Sequence, residues 1–251
     1  MTAPFWRPLE RSEERDRLID AVLAHVPFDG WSDKALVAGA ADLGLEAEAA
    51  RHGFPGGALD LIGYHSARAD RRMEADAAAL DLASLGVRQR IAAILRARFE
   101  ANAPAREAIR AAMGVLSLPP NLPIALALLY RTVDATWWAA GDATTTFSFY
   151  TKRLLLAGVY MATLNFWLSD RSGGCAETWA FLDRRLADVM RIQRARGRFE
   201  GALPDIPELF RAFRHASGAR RPSRRREWPT APDDKSDEPP RDPGGSNAGA
   251  A

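Results

Sequence analysis

The chain has one cysteine, Cys175, in 251 residues. An internal disulfide is therefore excluded, and such sparing use suits a reducing compartment. Histidine is scarce too. His25, His52, His65 and His215 are scattered, and none sits in an ExxH or HxxE pair. That removes the di-iron carboxylate and zincin patterns. No serine stands in a GxSxG elbow. FPGGALD, starting at Phe54, has paired glycines but lacks the Lys-Ser/Thr of a phosphate-binding loop. Cys175 lies in a Gly-Gly loop with no neighbouring histidine and reads as a packed or idle thiol. Asp142 suits the capping of backbone donors better than proton abstraction. No catalytic residue, metal ligand or cofactor is assigned, and the chain is read as a non-enzyme. Long apolar runs are lacking as well. The longest spans residues 154–168, short of the roughly 20 that a bilayer span needs, and Lys152, Arg153 and Asp170 bound it. It reads as a buried core helix. The opening MTAPFWRPLERSEERD has no apolar stretch followed by a small-residue cleavage site, so no signal peptide is expected. Alternating runs between hairpin turns are missing, and so is any repeat of fixed period.

What is present is helical periodicity. The 47% hydrophobic and 26% charged content is that of an ordinary globular protein, with a net charge of +2. Residues 10–26 read as a helix broken by Pro27, Gly30 and Trp31, with Leu18, Val22 and Val26 recurring every four residues. Ser32 suits the N-cap of a second helix that ends at Gly44. Further helices are expected over 45–51, 59–82, 87–102, 104–117, 124–140, 144–169 and 176–196. The fold class is all-α, with eight to ten helices. Residues 1–57 form a helix-turn-helix-like subdomain, and 58–200 a ligand-binding and dimerising bundle. Residues 201–217 form an amphipathic helix. The Arg-, Pro- and Asp-rich tail 218–251 has almost no apolar residue and is expected to be disordered.

The first three helices have the layout of the DNA-binding part of TetR-type regulators. Their chemistry argues against DNA. A recognition helix needs cations for phosphates and polar groups for base edges. Here the turn and third helix read DLGLEAEAARH, so Asp42, Glu46 and Glu48 would face phosphates with Arg51 alone opposing them. No specific nucleic-acid partner is expected. A ligand-responsive regulator of the TetR kind is the alternative reading.

Two apolar helices carry aromatic stripes with polar tips. One presents Leu126, Leu129, Tyr130, Val133 and Trp137; the next presents Leu156, Val159, Tyr160, Thr163 and Trp167. Such stripes are core packing, or they line a cavity for a lipid or isoprenoid. Between them stands the stretch GDATTTFSFYTKR. Its Phe147, Phe149 and Tyr150, beside Lys152 and Arg153, have the composition of an interface hot spot. Phe147 and Tyr150, three apart, fit core positions equally well. Near the C-terminus Ile206, Leu209, Phe210 and Phe213 share one helical face, with Arg211 and Arg214 beside them and an arginine cluster at 220–226. An apolar face next to cations suits an anionic membrane surface. The competing reading is a helix docked on its own domain. The basic tail could also hold RNA nonspecifically.

The stretch LPPNLPIALALLYRTVDATWWAAGDATTTFSFYTKRLLLAGVYMATLNFWLSD, followed by ETWAFLDRRLADVM, resembles the ubiquinone-biosynthesis accessory family called coenzyme Q protein nine. The similarity is strong over 118–190 and weaker over GWSDKALVAGAADLGL and FPGGALDLI. The resemblance implies a TetR-like homodimer that carries a lipid or an isoprenoid quinone intermediate. It also implies presentation to the di-iron hydroxylase of ubiquinone biosynthesis, and peripheral attachment to the inner, cytoplasmic face of a membrane. Asp134, Trp137, Gly141, Asp142, Tyr150, Lys152 and Arg153 occupy family motif positions. The implied partner patch takes in Asp142, Thr146, Phe149, Tyr150 and Arg153. Thr146 stands where the family has an Asp, and Phe149 where it usually has a Trp.

Overall fold

The computed structural model describes residues 8–141 and 148–196. Among them are nine α-helices and no strand. Helix α1, Glu13–Asp29, begins where the Ser12 hydroxyl accepts from the Arg15 amide at 3.1 Å. It runs through Pro27, the first of the three expected breakers. Pro27 lies in the last turn, where its missing N–H costs a single bond, and Gly30 at φ 66°, the second of the expected breakers, ends the helix. Ser32 caps α2, Asp33–Asp42, as the sequence predicts. Gly44, at φ 67°, turns the chain into α3, Ala47–Gly53. In the Gly-Gly stretch before α4, the Gly56 amide donates to Asp60 at 2.6 Å. The glycines there serve a helix start.

The bundle follows as α4 Ala58–Ala79, α5 Val87–Ala101, α6 Arg106–Leu116, α7 Leu122–Ala139, α8 Ser148–Ser169 and α9 Ala176–Arg196. Helix α4 ends three residues earlier than expected, with Leu80 extended and Leu82 buried in the turn beyond. Val87, the first residue of α5, is half exposed, while Ile91, Ile94, Leu95 and Phe99 are buried. Helix α7 starts two residues early because Pro123 fits a first turn.

Two apolar cores hold these helices. The first gathers Ile19 and Val22 of α1, Leu36 of α2, Phe54, and Leu61 and Tyr64 of α4. It also takes Ala108, Ala112 and Leu128 from α6 and α7, and the Trp31 indole N–H donates to the Ala108 carbonyl at 2.7 Å. Packing therefore runs on past residue 57. The second core joins α4, α5, α7, α8 and α9 through Met73, Ile94, Phe99, Val133, Leu156, Trp167 and Leu186, among others. Arg106 and Arg110 reach from α6 to the carbonyls of Trp167 and Leu168, placing positive charge at the C-terminus of α8. No single helix among the described residues is long and apolar enough to cross a membrane.

Candidate lipid cavity

A cavity of about 300 Å³ lies between the two cores. Five helices wall it. Ile62 and Ala69 come from α4, Ile109 and Met113 from α6, and Met161 and Leu164 from α8. Phe99 of α5 stacks on Tyr160 at 5.7 Å between ring centroids and tilts against Trp167 at 5.3 Å. That aromatic cluster forms one side.

Of the ten residues expected to line a lipid site, Leu126, Leu129, Tyr160 and Trp167 line this cavity. Tyr130, Val133, Trp137, Leu156, Val159 and Thr163 are buried away from it. The reason is that α7 and α8 are covered on more than one side. Val133 and Trp137 lie beyond the cavity in the second core, with Leu156 and Val159 of α8. The Thr163 hydroxyl and the Trp137 indole nitrogen are buried without a hydrogen-bond partner.

One region of the cavity wall is polar. Arg98 and Asp70 are nearly buried, with Arg98 Nη1 2.9 Å from Asp70 Oδ1. The contact is close but poorly aligned, so it acts as an ion pair more than a hydrogen bond. Arg98 Nη2 donates to Thr132 Oγ1 at 3.2 Å and Nε to the Tyr160 hydroxyl at 3.4 Å; Thr132 in turn donates to Asp70 at 2.8 Å. Burial opposes the charge of Arg98, and Tyr160 and Asp70 outweigh it, holding the guanidinium cationic. Beside them His65 lines the cavity with its Nε2 enclosed and unpartnered. Burial, then the charges of Arg98 and Arg68, push its pKa down to about 4. At neutral pH this imidazole is uncharged.

Sequence reasoning missed this polar wall, yet its signal is in the chain. Arg98 lies seven residues beyond Ile91 and four beyond Ile94, in phase with the buried face of α5. His65 shares a face of α4 with Ile62 and Ala69. Neither stands on the two most apolar helices, where the aromatic stripes are.

The expected docking edge is only partly described. Asp142 and Thr146 lie outside the described residues, as do the side chains of Phe149 and Tyr150. Arg153 is described, and it differs from expectation. Its guanidinium is 2% exposed and paired with Asp134 at 2.7 Å, because α8 turns it inward against α7. It is not presented to a partner in this arrangement. Trp138, unremarked in the sequence, is 55% exposed at the end of α7. The membrane residues Ile206, Leu209, Phe210, Arg211, Phe213 and Arg214 lie outside the described residues, as does the whole tail 218–251. Among the described residues, no group of three or more His, Cys, Asp or Glu is placed to hold a metal. In α3, Arg51 makes two 2.8 Å bonds to Asp33 and lies near Glu48, so its charge is already engaged.

An all-helical bundle with a TetR-like order of elements and a small, partly open apolar cavity is the class these features define. The similarities of the chain narrow it. A solved TetR transcriptional regulator from Nitrosomonas europaea is similar over 71% of this chain and 99% of its own, with 25% identity and a TM-score of 0.60. The COQ9 family model matches residues 122–193. Ubiquinone biosynthesis protein COQ9, mitochondrial, of Eremothecium gossypii is 31% identical over 199 residues, 73% of this chain and 78% of its own length. The rat protein of the same name is 35% identical over 189 residues, 72% of this chain. The chain belongs to the COQ9 family. It spans about three fifths of the length of the rat and fruit-fly relatives, 61% of each.

Proposed function

We propose that the chain is a lipid-binding accessory protein of ubiquinone biosynthesis, without catalytic chemistry of its own. It takes up an isoprenoid quinone intermediate at the membrane and presents it to the di-iron demethoxyubiquinone hydroxylase. The observation that carries this reading is the cavity between the two cores, apolar on most sides and polar on one. Its volume stands at the lower end of the roughly 300–1,000 Å³ of ligand pockets. That gives room for a head group and the first stretch of a chain. A full polyprenyl tail stays in the bilayer. Burying the head's apolar surface offsets the cost of leaving lipid at about 25 cal/mol per Å².

The chain works as a homodimer, peripheral on the inner, cytoplasmic face of a membrane, with residues 201–217 as the lipid contact. Phe149 and Tyr150 dock the hydroxylase, and the exposed Trp138 nearby supports an interaction edge at this end of α7. The test is hydroxylase turnover on demethoxyubiquinone in liposomes. Wild-type chain raises turnover several-fold. Ala125→Trp, which puts an indole into the cavity from α7, folds and gives no stimulation. Equal stimulation by the filled cavity removes the carrier role.

The likeness to a TetR regulator favours a second reading, ligand-responsive DNA binding. The engaged Arg51 and the acidic Glu46 and Glu48 oppose it. A mobility-shift assay on the flanking promoter decides, and a tight, salt-resistant shift would overturn the lipid role.

A further inference from the structure

The apolar surface of the cavity explains why a lipid enters, and leaves its polar wall unexplained. His65 is the informative residue. Its Nε2 is enclosed and makes no hydrogen bond, although the ring is otherwise held by Trp31 at 5.8 Å between centroids. A buried nitrogen left without a hydrogen bond destabilises the fold unless a ligand supplies the partner. Arg98 beside it is also under-used, with one misaligned contact and bonds of 3.2 and 3.4 Å. These are donors held open inside an apolar pocket. A ligand oxygen arriving there gains hydrogen bonds that nothing in the protein supplies.

The charge of the wall narrows the ligand. Arg98 is matched by Asp70, and His65 is neutral, so the wall has no net charge. Asp70 stands behind Arg98 and offsets its charge, so a phosphate brought here would find no net positive charge while losing its own hydration. A neutral acceptor oxygen, such as a carbonyl, loses far less. The size agrees, since the cavity holds a head and not a long tail. Leu122 lines the cavity and is half exposed, which marks where a chain leaves it.

We propose that the polar wall is the head-group subsite: His65 Nε2–H and the Arg98 guanidinium donate hydrogen bonds to a carbonyl oxygen of a neutral lipid head, placing the head inward and the tail outward past Leu122. This rests on the cavity reading above and adds to it an orientation and a chemical selectivity. The carbonyl belongs to a quinone ring or to an acyl ester.

The experiment compares three probes in a fluorescence competition assay on the full chain. They are a ubiquinone with a three-isoprene tail, methyl oleate, which is a neutral acyl ester, and squalane, which has a branched tail and no oxygen. Wild type is expected to hold at least one carbonyl probe ten-fold more tightly than squalane. His65→Leu is expected to lose that preference while keeping its affinity for squalane, and His65→Gln, which keeps a donor, to retain most of it. A preference for the quinone assigns the carbonyl to a ring, and a preference for methyl oleate alone assigns it to an ester. Equal affinity for all three in wild type, the result expected if water fills the wall, overturns the subsite and leaves the cavity reading standing. A preference that survives His65→Leu overturns it as well. If no probe binds, squalane included, the cavity reading fails and the subsite with it. Should His65→Leu not fold, wild type labelled with 15N-histidine answers the same question. The His65 Nε2 resonance must move with a carbonyl probe and stay put with squalane; a resonance that ignores the carbonyl probe overturns the subsite.

Discussion

His65 is neutral in the fold because burial and two arginines depress its pKa to about 4, from an ordinary value of about 6.5. The consequence for stability has a definite sign. As pH falls below about 6.5 the unfolded chain takes up a proton that the folded chain refuses. Stability therefore declines between about pH 6.5 and 4, by on the order of 2–3 kcal/mol, and this contribution is level outside that window. Urea unfolding of wild type and His65→Gln across pH 4–7.5 measures it. The glutamine variant is expected to show a shallower slope, and parallel slopes would contradict a buried neutral imidazole. The sequence carried part of this. Arg98 sits at a core phase of α5, so a buried cation was legible there. Its partner Asp70 on another helix was not, because pairing across 28 residues is set by how α4 meets α5. The inward turn of Arg153 onto Asp134 was hidden for the same reason.

Helices were the most legible elements, since caps and breakers act locally. Ser12 and Ser32 accept from amides three residues on, and Gly30 and Gly44 take positive φ, as short-range rules require. Pro27 is the instructive exception. A proline in a last turn removes little, and Gly30 supplies the actual stop. Packing between helices was less legible, and Gly39 shows why. A Cβ there would lie 2.7 Å from the Val22 backbone nitrogen and 2.9 Å from its Cγ2, so α1 and α2 touch through that glycine. Gly39→Ala is expected to destabilise the chain by about 1–3 kcal/mol, read as a lower urea midpoint at unchanged slope. An unchanged midpoint would show that the two helices slide apart at little cost. The stripe of α7 makes the same point on a larger element. Its 3.6-residue periodicity identified a buried face, and not which part of it meets a cavity. Leu126 and Leu129 face empty space, while Val133 and Trp137 two turns on face packed side chains.

At the scale of the whole molecule, the cavity is a product of two cores that meet. The first is built by α1–α3 with help from α4, α6 and α7; the second by α4, α5, α7, α8 and α9. The helix-turn-helix-like start thus backs the cavity, through Trp31 against His65 and Ala108. Its third helix and the N-cap before it carry Glu48 and Glu46, with Arg51 tied to Asp33, in a fold similar to that of a solved TetR transcriptional regulator. The fold class was readable from periodicity alone. The position of the cavity was not, because it depends on five helices whose crossing no local pattern encodes. The central claim is that this space holds lipid, and mass spectrometry of an organic extract tests it most directly. Protein purified without detergent is expected to yield about one neutral, carbonyl-bearing isoprenoid or acyl lipid per chain, and Ala125→Trp markedly less. A folded protein that yields no lipid, or the same amount with the cavity filled, would contradict the account.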